Sequence, residues 1–187
     1  MKRLWFIPAL LWVALLAGCG QDDLSFINEV KRFDPEWMSL SNKVSFLDRY
    51  LRLTERRYAQ DLQEINPYLS DPATTERTNL QGMRSQYRNM MEERDQLAAA
   101  FVEEKKTFVE TVERFNTWQT RLMKNRLDMD EAPADLQAFQ QDYRELSESI
   151  TAMQNKLILN IEQHNALMRR ITGAAGLYTN YEIRYDR

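Results

Sequence analysis

A seven-residue spacing of apolar residues restricts the fold of this chain more than any other feature of its sequence. Three stretches keep this spacing along most of the chain. Their members are Trp37, Val44, Leu51, Tyr58 and Ile65; Leu80, Tyr87, Arg94, Phe101, Phe108, Phe115 and Leu122; and Leu136, Tyr143, Ile150, Leu157, His164 and Ile171. All are apolar except Arg94 and His164, against an apolar fraction of 43% for the whole chain. A repeat of this length indicates α-helices that pack with the left-handed geometry of coiled coils.

Proline positions divide the chain into the helices that carry the repeat. Proline fits the first turn of a helix and breaks its interior, so Asp34-Pro35 and Asp71-Pro72 indicate helix starts. Residues 130–133 indicate a loop that leads into a further helix. We therefore predict three main helices at 35–65, 72–128 and 133–172, preceded by a short helix near 22–33. Gly173 is predicted to cap the last helix.

Turn lengths predict how these helices are arranged. The turns at 66–71 and 129–132 are short, and short turns make consecutive helices antiparallel neighbours. At 1.5 Å per residue the middle helix would be about 85 Å long, and its neighbours about 46 and 60 Å. Both neighbours would cover it only near 90–104, leaving the hairpin at 105–157 as an arm of two helices. The predicted fold is all-α: an elongated antiparallel helical bundle, or coiled-coil hairpin, of three long helices plus a short N-terminal helix.

The first eighteen residues have the composition of a targeting segment. Lys2 and Arg3 precede an apolar run from Leu4 to Leu16, which is shorter than the roughly 20 residues that a membrane-spanning helix needs. The segment leads into Leu16-Ala17-Gly18-Cys19. This tetrapeptide, directly behind such an apolar run, resembles the lipobox of bacterial lipoproteins.

The lipobox resemblance covers the N-terminus alone and implies a protein attached to a membrane. It implies that the Cys19 thiol receives a diacylglyceryl group, that cleavage follows Gly18, and that the new amino terminus is acylated. Several acyl chains make a lasting anchor, whereas one chain alone holds only marginally. Gly20 stands where enterobacterial lipoproteins of the inner membrane carry Asp, so the resemblance implies an outer-membrane protein that faces the periplasm.

These features predict a division of the chain and limit its partners. The predicted parts are a signal peptide at 1–18, a lipidated N-terminus with the short helix at 19–34, the bundle at 35–172 and a tail at 173–187. Loss of the signal peptide leaves 169 of 187 residues and takes the formal charge from −3 to −5, because Lys2 and Arg3 go with it. A mildly acidic body has no electrostatic footprint for nucleic acid. Cys19 is the only cysteine, so no internal disulfide can form.

His164 is the only histidine, and it lies at a repeat position of the third helix, four residues after Asn160. A metal site needs further ligands, and neither a free cysteine nor a second histidine is available to supply them. We interpret His164 and Asn160 as a polar layer that fixes helix register, with Glu104 or Arg94 as partner across the hairpin. A pH-sensing role is the alternative.

Catalysis is not expected from this sequence. One histidine and one lipidated thiol cannot form a Ser-His-Asp or Cys-His set, and no glycine-rich phosphate loop occurs. We predict no catalytic residue, no metal site and no cofactor apart from the covalent lipid on Cys19.

Two further apolar features are candidates for binding. Phe46, Tyr50 and Leu53 form a second row on the first helix, either exposed for a partner or covered by Leu24, Ile27, Val30 and Phe33 of the short helix. The tail departs from the helical pattern and is Tyr-rich. It either binds a partner or folds back along the bundle. Its candidate binding residues are Leu177, Tyr178, Tyr181, Ile183 and Tyr185.

The sequence favours a non-enzymatic, membrane-anchored lipoprotein that serves as scaffold, adaptor or assembly factor for another envelope protein. A peptidoglycan-associated structural lipoprotein is the first alternative. The small murein lipoprotein is joined to the cell wall through a terminal lysine, which this chain lacks. The second alternative is a carrier of an apolar ligand or lipid in a groove lined by Met90, Met91, Phe101 and Trp118. The repeat is also compatible with a homo-oligomer.

Overall fold

A computed structural model describes the chain as a bundle of three α-helices. The described residues are 7–70, 80–124, 126–175 and 182–185; the side chains of 7–24, 80, 81, 174 and 175 are not among them. Helix α1 spans Ile7–Ser70, α2 spans Leu80–Met123 and α3 spans Ala132–Ala175. Within these ranges there is no β-strand, so the predicted all-α fold and helical bundle are confirmed.

Helix α1 runs through Pro35 without a break, so the predicted boundary between a short helix and the first long helix is wrong. Pro35 lies on the exposed face, while Val30, Phe33, Trp37 and Leu40 on the opposite face are all buried. A proline inside a helix costs about 3 kcal/mol. Each large apolar side chain that is buried contributes about 1.5–3 kcal/mol, so the face on both sides of Pro35 offsets this cost.

The same helix also passes the predicted end at residue 65. It continues through Pro67 to Ser70, because Leu69 is buried one turn after Ile65 on the same face. Pro67 itself is exposed. The predicted helix start at Asp71-Pro72 lies outside the described residues.

The connection between α2 and α3 is longer than predicted. Helix α2 ends at Met123, five residues before the expected position. Within the loop the Asp128 side chain accepts a 3.0 Å hydrogen bond from the Asp130 amide, and the Asp128 carbonyl accepts one from the Ala132 amide at 3.1 Å. Pro133 is the second residue of α3, which confirms the interpretation of 130–133 as a loop leading into a helix start.

Gly173 does not end the last helix. It is an exposed residue inside α3, which continues to Ala175, so the predicted cap at this position is wrong. A Cβ at Gly173 would meet no atom within 4 Å, so neither crowding nor backbone conformation requires glycine here.

The chain forms two compact units, and all three helices contribute to each. Unit 1 comprises Met1–Ser39 and Thr111–Arg144. Unit 2 comprises Leu40–Glu110 and Glu145–Arg187.

Unit 1 has an aromatic core. The Phe33 ring of α1 lies 5.7 Å from the Phe115 ring of α2 and 5.2 Å from the Tyr143 ring of α3. The rings of this core belong to Phe33, Trp37, Phe115, Trp118, Phe139 and Tyr143. The prediction that residues 111–144 form part of a two-helix arm is wrong, because the upstream extension of α1 packs a third helix against them.

In unit 2, α1 and α2 run in opposite directions. Lys105 Nζ lies 2.7 Å from Asp48 Oδ1, and ten residues further along α1 the Tyr58 ring contacts the Tyr87 ring. The contacts thus advance along α1 while they retreat along α2. The antiparallel arrangement of α1 and α2, predicted from the turn lengths, is present here.

Helices α1 and α3 of unit 2 run in the same direction. Lys43 Nζ donates to Thr151 Oγ1 at 2.8 Å, and Tyr58 Oη donates to Asn160 Oδ1 at 3.0 Å. Both partners advance together along their helices. Unit 2 therefore has the up-down-up arrangement expected of three helices in sequence.

Candidate functional site

A polar layer lies inside the apolar core of unit 2. His164 and Asn160 of α3 meet Tyr58 and Asp61 of α1 and Tyr87 of α2. All five side chains are buried, with at most 4% of the residue surface exposed. The interpretation of His164 and Asn160 as a polar layer is confirmed.

Hydrogen bonds join Asn160 to both other helices. Its Oδ1 accepts from the Tyr58 hydroxyl at 3.0 Å, and its Nδ2 donates to the Met90 carbonyl of α2 at 2.9 Å. The Tyr87 hydroxyl in turn donates to the Tyr58 carbonyl at 3.0 Å. Each bond requires one particular axial position of its helix, so together they fix the register of all three.

His164 pairs with a carboxylate that was not recognised in the sequence. Its Nε2 lies 3.0 Å from Asp61 Oδ2, and the same oxygen accepts a hydrogen bond from Arg57 Nε at 3.2 Å, with Oδ1 3.0 Å from that nitrogen. Tyr58 stacks on the imidazole at 4.3 Å between ring centroids. Glu104 and Arg94 were predicted as the partners across the hairpin. The structure instead places Asp61 of α1 within hydrogen-bond distance of His164.

A signal for Asp61 was nevertheless present in the repeat. Leu40 and Leu47 form the alternate row of the first helix, and two further steps of seven lead to Thr54 and Asp61. Both residues are fully buried. Polar residues that continue an apolar row were the available indication of a buried layer.

Burial keeps both tyrosines of the layer in their neutral form. It raises the pKa of Tyr58 well above its ordinary value, with Arg94 opposing and Asp61 reinforcing the effect. It also raises the pKa of Tyr87, and Asp61 adds to that shift. Their hydroxyl groups therefore remain hydrogen-bond donors, as the contacts to Asn160 and the Tyr58 carbonyl require.

A groove between α2 and α3 is open to solvent in unit 2. It has a volume of about 400 Å³ and adjoins a second depression of about 350 Å³, with Glu93 and Gln163 shared by the two. Leu159 lies in the groove with 54% of its surface exposed. The apolar lining residues are Met90, Leu97, Ala100, Met153, Leu159, Ala166 and Leu167.

This groove differs from the one expected from the sequence. Met90 lines the second depression, but Phe101 is buried in the core and Trp118 belongs to the core of unit 1. The run Leu157-Ile158-Leu159 carries the signal that was missed. Successive helical residues point about 100° apart, so three apolar residues in a row cannot all face one core.

The C-terminal segment at 182–185 packs against α3. The Asn165 side chain donates to the Ile183 carbonyl and accepts from the Ile183 amide, both at 2.9 Å. Arg169 pairs with Glu182 at 2.7 Å, and the Tyr185 hydroxyl donates to Glu162 at 2.6 Å. For Ile183 and Tyr185 the structure thus shows the fold-back alternative, whereas Leu177, Tyr178 and Tyr181 lie outside the described residues.

The row at Phe46, Tyr50 and Leu53 is not covered in the expected way. Val30 and Phe33 belong to the same continuous helix and are buried in unit 1, so they cannot fold onto this row. Tyr50 is buried and its ring lies 4.5 Å from the Phe46 ring, while Leu53 keeps 43% of its surface exposed.

The described residues include neither a group of three metal-ligating side chains nor a helix long and apolar enough to cross a membrane. Gly18 and Cys19 lie within α1, but their side chains are outside the described set, so cleavage and lipidation stay predictions.

The chain matches no protein-family model, no curated protein and no solved structure. Its function is therefore inferred from its own residues and geometry.

Proposed function

We propose that this protein is a lipid-anchored, non-enzymatic adaptor of the bacterial cell envelope, whose groove between α2 and α3 holds an amphipathic helix of another envelope protein. The observation that carries the proposal is the groove of unit 2, where Leu159 presents an apolar side chain to solvent. The lipobox at Leu16-Ala17-Gly18-Cys19 supports the anchor.

The dimensions of the groove suit one face of a helix. Its lining residues on α2 extend from Gln86 to Ala100, a rise of about 21 Å or four turns. An apolar row at positions i, i+3, i+4 and i+7 of a partner helix would lie along such a floor. Burial of Leu159 against that row would stabilise the complex.

Charges along the two sides of the groove favour a partner of mixed charge. Glu93 lies on the α2 side, and Lys156 and Arg170 lie on the α3 side. A helix with basic residues toward α2 and acidic residues toward α3 would be complementary. Such charges set orientation and association rate more than affinity.

The adaptor proposal is tested by crosslinking in the native cells, followed by affinity purification and mass spectrometry. Leu159→Lys places a charge in the groove and is expected to lose the partner that the wild-type chain captures. Val102→Lys is the matched control, because Val102 is an exposed apolar residue of unit 2 that does not line the groove. A partner retained by Leu159→Lys, or lost equally from both variants, would contradict the assignment of the groove.

The anchor is tested separately by metabolic labelling with radioactive palmitate. Wild type should incorporate label and sediment with membranes, and Cys19→Ser should do neither. Gly20→Asp should keep the label and, if the enterobacterial sorting pattern applies, move the protein from outer to inner membrane fractions. Labelling of Cys19→Ser at the wild-type level would exclude lipidation at this residue.

A further inference from the structure

Asn165 connects the buried polar layer to the C-terminal segment. Its Oδ1 lies 3.2 Å from His164 Nδ1, and the same oxygen accepts the amide hydrogen of Ile183. We propose that residues 182–185 form a proton-dependent latch, which docks on α3 while His164 and Asp61 together hold the proton that bonds to Asn165.

The orientation of the Asn165 amide follows from Ile183. Only the amide NH₂ can donate to the Ile183 carbonyl, and only the amide oxygen can accept from the Ile183 N–H. A rotation that exchanged the two groups would break both 2.9 Å bonds. The atom that faces His164 Nδ1 is therefore an oxygen, which accepts and cannot donate.

His164 thus has an acceptor at each ring nitrogen. Asn165 Oδ1 faces Nδ1, and Asp61 Oδ2 faces Nε2. A neutral imidazole carries one N–H, so against an ionised carboxylate it would leave one nitrogen lone pair facing an oxygen. The imidazolium form donates to both. The latch therefore uses the imidazolium, and the Arg57 guanidinium, with Nε 3.0 Å from Asp61 Oδ1 and 3.2 Å from Oδ2, lies beside the carboxylate that the ring contacts.

Charged groups of α1 and α2 lie near this pair. On α1, Asp61 contacts the ring, and Arg57 pairs with Asp61. On α2, Arg94 acts on Tyr58, which stacks on His164, and Tyr87 approaches the ring at 5.8 Å. Both tyrosines are neutral hydrogen-bond donors, as their bonds show. Asp61 is thus the one anion in direct contact with the ring among the described residues.

The segment has two charged contacts with α3 that do not involve His164. Arg169 pairs with Glu182, and Tyr185 donates to Glu162. Both contacts are exposed, so they contribute little to docking. Ile183, with 6% of its surface exposed, is the buried anchor of the segment, and Asn165 holds its backbone.

Loss of the proton weakens the latch for a simple reason. A deprotonated ring that keeps its bond to Asp61 turns a lone pair toward Asn165 Oδ1, so the amide must rotate and release Ile183. A ring that bonds to Asn165 instead turns its lone pair toward the buried Asp61 carboxylate. Histidine ordinarily changes charge between pH 5 and 8, so docking is favoured at the lower end of this range and weakened as the pH rises.

Hydrogen–deuterium exchange of the full-length chain in detergent tests the latch. The measured quantity is the protection factor of the C-terminal peptide that contains Ile183, corrected for the intrinsic pH dependence of exchange. For wild type we expect protection about 30-fold lower at pH 8 than at pH 5.5, as the loss of two hydrogen bonds of about 1 kcal/mol each implies. Equal protection at the two pH values would overturn the proposal.

Two variants separate His164 from the other contacts of the segment. His164→Gln should make protection independent of pH, whereas Arg169→Gln, which removes an exposed pair, should lower protection only slightly at both pH values and keep the difference between them. A pH difference that persists in His164→Gln would contradict the proposal. If that variant does not fold, nitrogen NMR of the wild-type ring at pH 5.5 decides: two protonated ring nitrogens support the latch, and a neutral tautomer overturns it.

Discussion

Tyr58 and Asn160 are 102 residues apart in the sequence, and the Tyr58 hydroxyl donates a 3.0 Å hydrogen bond to Asn160 Oδ1 in the core of unit 2. Asn160 also donates to the Met90 carbonyl, so one amide side chain connects all three helices. A buried polar group of this kind is tolerated only while its partners are present, because an unpaired group retains the full cost of its desolvation. This relationship makes the layer sensitive to single substitutions.

Removal of the Tyr58 hydroxyl should destabilise the fold. Tyr58→Phe leaves Asn160 Oδ1 without its donor and is expected to lower the free energy of unfolding by about 1–3 kcal/mol. Urea denaturation followed by circular dichroism measures the change. Tyr68→Phe is the control, since 36% of Tyr68 is exposed, and it should change stability by less than about 0.5 kcal/mol. Equal midpoints for the two variants would show that the hydrogen bond contributes nothing.

The two buried tyrosines predict a loss of stability in alkaline solution. Burial raises the pKa of Tyr58 and of Tyr87 above the ordinary value of about 10. Above pH 10 the unfolded chain therefore releases two protons that the folded chain keeps, so stability present below pH 10 declines as the pH rises. The expected slope is about 1.4 kcal/mol per pH unit for each tyrosine.

The variant Tyr87→Phe isolates one of these contributions. Its free energy of unfolding, measured in urea between pH 9 and pH 11, should fall less steeply above pH 10 than that of wild type, by about 1.4 kcal/mol per pH unit. Parallel curves for the two proteins would mean that Tyr87 ionises equally in the folded and unfolded states.

Asp61 and Asp48 allow a buried and a more exposed ion pair to be compared within unit 2. Asp61→Ala removes the carboxylate that pairs with His164 and Arg57. The free energy of unfolding should fall by about 3–5 kcal/mol, because buried polar groups lose their partner. Asp48→Ala breaks the pair with Lys105, whose side chain is 41% exposed, and should cost less than about 1 kcal/mol. Thermal denaturation of both variants checks the order. A loss for Asp48→Ala as large as that for Asp61→Ala would argue against a special role for the buried layer.

The core of unit 1 predicts that the segment before Pro35 is part of the folded body. Phe33→Ala removes a buried ring that contacts Phe115 and Tyr143, and is expected to cost about 3–5 kcal/mol. Met38→Ala, five residues later on α1 and 68% exposed, should change stability by less than about 0.5 kcal/mol.

Tryptophan fluorescence provides a readout specific to unit 1. A chain that begins at Cys19 contains only Trp37 and Trp118, and both belong to this core. Phe33→Ala should therefore lower the denaturant midpoint of the fluorescence transition. An unchanged midpoint would indicate that the α1 segment at 26–37 does not pack against α2 and α3 in solution.

The spacing of apolar residues predicted an all-α fold, because this pattern depends only on residues close together along one helix. The seven-residue repeat identified three helices, and the buried members of that repeat form the cores of both units. The helix ends were predicted less well. The proline rules account for the free-energy cost of a proline inside a helix, and they do not account for the packing that offsets this cost. Pro35 and Pro67 both lie inside α1 on its exposed face.

The candidate site was likewise predicted only in part from the sequence. The position of His164 in the third series, with Asn160 four residues before it, was enough to predict a buried polar layer, because the repeat places His164 in the core. Their partners were not predictable, since Asp61 is one of 28 acidic residues and only the packing of α1 against α3 brings it to His164. The exposure of Leu159 likewise depends on how α2 and α3 pack against each other.

The sequence by itself determined that the chain is helical, that its N-terminus resembles a lipobox and that one polar layer interrupts an apolar core. These properties follow from residue type and spacing along one helix. Tertiary structure alone decided which carboxylate faces His164, which apolar face remains open and how Asn165 holds Ile183. Each of these depends on contacts between residues far apart in the chain, and the free energy of such contacts is set by the packing of whole helices.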